Sequence, residues 1–245
     1  MAFGNIAARH HNFCLMLRAG AFRPGCDMQA GADQASGAFR HMRWHPLVVI
    51  FLSSAVLFCW HPHEAAARPQ VTLSMRYYPV RGATGLQLVE EMDRIGPKQG
   101  FMSRAIAQTV YSLQYGADYA ASGGVCRVKA TRVKLDITQI FPKLADKPSP
   151  SLARRWMRFM AGVHRHENTH VRIARDLANV SERTILRTVT QDDPHCRGMR
   201  ALLKRTIRGI YADYDARQNA FDRKEHRKGG HIERLVMALI DGDRQ

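Results

Sequence analysis

The sequence predicts an α+β fold, with a small antiparallel sheet and a short helix in the N-terminal half packed against a helical C-terminal half. Three observations carry this expectation. Period-two apolar runs are confined to residues 71–141, with one helical pattern among them. Beyond the loop KLADKPSP the apolar spacing turns to three and four and stays there. A 45% apolar fraction with 24% charged residues is that of a globular chain.

The elements follow a leader. From Met42 the chain reads as a secretory signal: a cation at Arg43, an unbroken apolar run Leu47–Trp60, then small residues to Ala65-Ala66-Ala67, with cleavage expected after Ala67. The run is shorter than the roughly 20 residues a membrane span needs, so no stable span is expected once the signal is removed. Residues 1–41 lack sustained periodicity and read as an upstream extension outside the fold, which leaves 68–245 as a single domain.

In that domain Val71, Leu73, Met75 and Tyr77 alternate as a strand ending at Pro79. Thr84 with Gln87 forms a capping box for a helix carrying Leu88, Met92 and Ile95, stopped at Gly96-Pro97. Thr109, Tyr111, Leu113 and Tyr115 share one face of a second strand. The ASGG segment turns it into a third, whose phase runs through Cys126 and Val128, then switches to Val133, Leu135 and Ile137, predicting a bulge near Thr131. Ser149 caps, with Pro150 at the first position, a long helix whose stripe runs Leu152, Trp156, Phe159, Val163, His166, His170, Ala174 (or Ile173) and Leu177. A further helix spans about 199–227, through Leu203, Ile207, Ile210, Tyr214 and Phe221 to Gly229-Gly230, and HIERLVMALI closes the chain.

Charge and cysteines bound the setting. With 37 Lys+Arg against 21 Asp+Glu the chain carries +16, which favours anionic partners such as acidic proteins or cell-wall polymers. Nucleic acid is not expected, because no reading motif accompanies the cations and export removes the chain from it. Only Cys126 and Cys196 lie beyond the leader, so an oxidising periplasmic or extracellular compartment predicts one disulfide between them.

The long helix contains HRHENTH, and within it His166-Glu167-Asn168-Thr169-His170 matches H-E-x-x-H. Residues i and i+4 stand one turn apart on the same helix face, so two imidazoles reach one ion at the roughly 2.0–2.1 Å that Zn2+ requires. Glu167, rotated by about 100 degrees, stands beside the ion as a general base. Both histidines interrupt a buried stripe, where unpartnered imidazoles are costly. His164 falls on the opposite side and reads as a surface residue, and Asp176 as a surface charge or a carboxylate orienting a ligand.

A catalytic zinc needs a third protein ligand. The segment YDARQNAFDRKEHRKGG offers His226 first, then Glu225, with His195, His231 and the aspartates Asp215 and Asp222 also open. Asp222 stands four residues before His226 and can hold its imidazole, and Tyr214 can donate to an anionic intermediate.

The segments RYYPVRGATGLQLVEEMDRIGP, the Cys126 strand, HRHENTH and FDRKEH resemble a bacterial family of unknown function whose members are labelled predicted secreted zinc-dependent proteases. The resemblance implies a zincin-like peptidase with His166 and His170 as ligands and Glu167 as base. The family's late motif has a Tyr-Asp pair followed by Thr and His-Gly, where this chain has Phe221-Asp222 and Glu225-His226-Arg227. The expected activity is therefore zinc-dependent hydrolysis of peptide bonds in a peptide or protein substrate. The second expectation is a non-catalytic envelope protein, braced by a structural zinc, that holds anionic polymers.

Overall fold

Strands β5 (Ser103–Ser122) and β6 (Val125–Leu144) form a long antiparallel hairpin that frames the molecule. Its turn, Gly123-Gly124, has φ of 58° and 79°, a pair of left-handed positions whose twist matches the strands and which glycine adopts without steric cost. The computed structural model describes residues 2–4, 13–16, 68–99 and 103–244. They belong to one unit made of Met1–Arg18 and Ala67–Gln245, while a second unit, Ala19–Ala66, lies outside the described residues. The expected start at Met42 and the signal segment 42–67 fall outside them as well.

Short strands β1 (Ala2–Gly4) and β2 (Phe13–Met16) pair antiparallel with β5, within the stretch read from sequence as an extension. On the other side, β3 (Gln70–Val80) pairs with β6 in parallel, from Gln70 opposite Lys134 to Val80 opposite Leu144. The sheet is therefore mixed and not antiparallel as expected. Helix α1 (Gly85–Ile95) and the short strand β4 (Lys98–Gln99) separate β3 from β5, and this crossover lets β3 lie beside β6 in the same direction. As an edge strand β3 leaves the face of Val71, Leu73, Met75 and Tyr77 exposed.

The predicted phase change is present. Asp118 pairs with Ala130 and Tyr119 with Val128, which leaves Lys129 as the extra residue, two positions from the expected Thr131. Cys126 is buried before the bulge; Thr131, Val133, Leu135 and Ile137 are buried after it.

Helix α2 (Pro150–Arg187) is capped by Ser149, whose hydroxyl accepts from the Leu152 amide. The stripe Leu152, Trp156, Phe159, Val163, His166, His170, Ala174, Leu177 is its buried face. That face touches two apolar clusters in turn. Leu152 to Val163 pack with α1, Phe141 and α4 (His231–Ile240); Val171 to Ile185 pack with the inner faces of β5 and β6 and with α3 (Arg197–Glu225). His166, Glu167 and His170 occupy the seam between the clusters. His164, expected at the surface, is half-buried with its ring 4.1 Å from that of Phe141.

Cys126 and Cys196 form the expected disulfide, at a sequence separation of 70 and a Cα–Cα distance of 5.4 Å, tying β6 to the start of α3. Cys196 has a left-handed backbone and gives that helix no side-chain cap. Asp193 supplies it instead, accepting from the amides of Gly198 and Met199 and from the hydroxyl of Thr190 on the short strand β7 (Val189–Thr190). Among the described residues no helix is long and apolar enough to cross a membrane.

Candidate metal centre

Helix geometry alone brings His166 and His170 onto one turn-to-turn line, and both rings are buried, at 2% and 0% exposed. Their Nε2 atoms stand 3.1 Å apart. The third group comes from α3, which crosses α2 so that Asp222 Oδ1 lies 3.2 Å from His166 Nε2 and 2.9 Å from His170 Nε2. Donors bound at roughly 2.0–2.1 Å to one tetrahedral ion stand about 3.3 Å from one another, so these three atoms fit a single small divalent cation. Among the described residues His166, His170 and Asp222 are the set whose donor atoms converge in this way.

The other candidates take different places. His226 lies next to the set, its ring 5.7 Å from that of His166, edge to face. Glu225 Oε2 is 3.8 Å from His166 Nδ1, on the outer side of that ring. Tyr214 is buried in the core with the Arg217 guanidinium 4.3 Å from its ring centre, and no described contact joins it to either imidazole. Asp176 and His195 are exposed, and Asp215 is half-buried near Tyr111 and Tyr211. Phe221 covers the set, 4.8 Å from the His166 ring and 5.2 Å from that of His170.

A sequence profile of the family described as "Bacterial protein of unknown function (DUF922)" matches residues 75–230, more than half of the chain and every residue of this centre. The chain belongs to this DUF922 family. No curated protein and no solved structure matches it.

Three residues of this DUF922 domain that the sequence left without a role complete the centre. The Thr109 hydroxyl on β5 donates to Glu167 Oε2 at 2.6 Å. Gln139 Nε2 on β6, paired directly with Thr109, lies 3.5 Å from Asn168 Oδ1. Gln218 on α3 places Oε1 2.6 Å from His170 Nδ1, while its Nε2 donates to the His170 carbonyl at 3.2 Å. The available signal was their position: Thr109 on the inward face of β5, and Gln218 one turn before Asp222.

Burial and pairing set the charges. Burial pushes the Glu167 carboxyl up to about 7, against the opposing pull of His170 and Thr109. For Asp222 burial also acts upward, but the two imidazoles override it and hold the carboxyl at about 2. His166 is lowered by burial, which Asp222 only partly offsets. Burial acts downward on His170 too, yet Asp222 and Glu167 together raise it. The centre is thus a fixed carboxylate between two imidazoles, with a second carboxyl poised near neutrality. Asp222 and Glu225 are its partly exposed members, which puts the approach from solvent at the C-terminal end of α3.

Proposed function

We propose that this chain is an exported zinc-dependent metallopeptidase in which His166, His170 and Asp222 hold Zn2+ and Glu167 is the general base. The observation that carries the reading is the convergence of two imidazole Nε2 atoms and one carboxylate oxygen within 3.2 Å of each other, with a buried glutamate next in sequence. Two nitrogens and one carboxylate oxygen are a donor set that suits catalytic zinc. His226, the ligand favoured by sequence, is on this reading a flank of the site.

When bound, zinc supplies Lewis acidity, which lowers the pKa of water toward neutrality and polarises a carbonyl. The chain supplies the rest. Thr109 anchors one oxygen of Glu167, and the other, Oε1, has no hydrogen-bond partner among the described groups. That oxygen accepts the proton of the attacking water and returns it to the leaving amine. In the metal-free chain burial raises this carboxyl to about 7, in the neutral range where a group can both take and return a proton. Asp222 stays ionised throughout that range. The disulfide suits an oxidising compartment outside the cytoplasm. The charge of +16 favours acidic or cell-wall-associated peptide substrates.

The complete burial of Glu167 and His170 favours a second reading, in which the ion braces α2 against α3 and the basic surface holds an anionic polymer. One experiment separates the two. The zinc-loaded protein and its Glu167→Gln variant are compared for metal content and for cleavage of unfolded peptides. The peptidase reading predicts equal metal and loss of cleavage in the variant; no cleavage by either protein favours the brace.

A further inference from the structure

We infer that the sheet edge at β3 is a docking site for another polypeptide: it takes an extended segment by strand addition, and the face of that segment turned toward the helices is apolar at one end and acidic at the other. The site lies on a different flank of α2 from the metal centre, so it does not rest on the metal reading.

β3 is open both at its edge and on the face toward the helices. It pairs with β6 on one side, and among the described residues no strand pairs with the other. An unpaired edge presents backbone N–H and C=O groups that a further strand can satisfy. Val71, Leu73, Met75 and Tyr77 form a row on one face and are 38%, 39%, 51% and 55% exposed. Their partners on β6 are Leu135, Ile137, Gln139 and Phe141, all buried, and the last two meet α2 through Asn168 and His164. The row therefore lies on the helix side of the sheet, one strand beyond the cover of α2. Single exposed apolar residues are ordinary, whereas a contiguous row on a free edge marks an interaction site.

Charge names the partner. Along α2, His164 lies at the level of Phe141 and Asn168 at that of Gln139. Four helix residues rise about 6 Å and two strand residues about 6.7 Å, so helix and strand stay in step. The next step brings Arg172 to the level of Leu73, and Arg175 to that of Val71. Both arginines are exposed. At about 100 degrees per residue they fall within roughly 80 degrees of His164 around the helix, while Asp176 is turned about 100 degrees beyond Arg175. The flank of α2 is thus cationic beside Val71 and Leu73 and carries Asn168 and His164 beside Met75 and Tyr77. β3 itself has no carboxylate and one cation, Arg76. On an added strand, apolar side chains pack beside Met75 and Tyr77, and carboxylates at the other end reach Arg172 and Arg175. A chain of +16 repels a second copy of itself and attracts an acidic segment.

The test is fluorescence anisotropy of labelled eight-residue peptides with the full chain, in a chelator that keeps metal-dependent cleavage out of the readout. The probe has threonine on one face and valine, valine, glutamate and glutamate in order on the other, and is made in both sequence directions. A control carries lysine in place of glutamate. One direction of the glutamate probe is expected to bind saturably, and the lysine control is not. Leu73→Lys is expected to weaken binding about tenfold. Two adjacent prolines at the centre of the probe are expected to abolish it, because the ladder loses its donors. Arg172→Glu combined with Arg175→Glu is expected to reverse the preference between the two probes, which a folding defect cannot do. Equal binding of the two probes, no saturable binding in either direction, or binding untouched by Leu73→Lys overturns the proposal. Binding to phosphatidylglycerol vesicles without peptide binding assigns the row to a membrane and overturns it too. So does a dimer that Leu73→Lys dissociates in a chain that binds no peptide.

Discussion

At the residue scale the centre depends on Asp222 and Glu167. Asp222→Ala removes the one α3 oxygen within 3.2 Å of both Nε2 atoms, and is expected to bring Zn2+ content to background. His226→Ala, which alters a neighbouring ring, is expected to change Zn2+ affinity by less than about tenfold. Competition with a chromogenic chelator measures both. Glu167 gives a pH-dependent stability. In the folded metal-free protein its carboxyl is raised to about 7, above the roughly 4.3 of an unfolded chain. Stability present below about pH 4 is therefore lost as pH rises to about 7, because the unfolded chain releases that proton first. In the presence of a chelator, Glu167→Gln is expected to melt at a higher temperature than wild type at pH 8, with a gap on the order of 3 kcal/mol that closes toward pH 4. An equal gap at both pH values would contradict the assignment. His166, Glu167 and His170 were legible in the sequence because their meeting is a property of one helix. Asp222 was legible only as one of a set. Which member of FDRKEH meets the histidines depends on how α3 crosses α2, and side-chain periodicity does not encode a crossing. Gln218 was missed because an uncharged amide on a buried stripe reads as an interruption of the pattern.

At the element scale, the hairpin and the long helices hold the centre from opposite sides. The capped starts of α1 and α2 and the bulge in β6 follow local rules, so the sequence showed them within two residues. The parallel pairing of β3 with β6 did not show, since alternation along a strand says nothing about the direction of its neighbour. The start of α3 is held by Asp193 and by the disulfide. On a chain-entropy argument the crosslink contributes about 4 kcal/mol. A Cys126→Ser, Cys196→Ser protein is expected to unfold at correspondingly lower denaturant, and an unchanged midpoint would deny the bridge that role. Helix α1 meets α4 at Gly85, where an added Cβ would overlap the Leu239 backbone carbonyl. Gly85→Ala is expected to cost about 1–3 kcal/mol in equilibrium denaturation, because backbone on both sides leaves nothing to give way.

At the scale of the whole molecule, the polar centre sits at the seam of two apolar clusters, so an ion bound there would join α2 to α3. Zinc at 100 times its dissociation constant would add about 2.7 kcal/mol to the folded state, lost on chelation and regained on readdition. The charge of +16 was visible from composition, but composition does not say which surface an anionic partner meets. The most direct test of the central claim is the zinc content of purified wild type and Asp222→Ala after dialysis against limiting Zn2+. About one zinc per wild-type chain is expected, and none above background in the variant. A wild type without zinc, or a variant that keeps it, would contradict the claim.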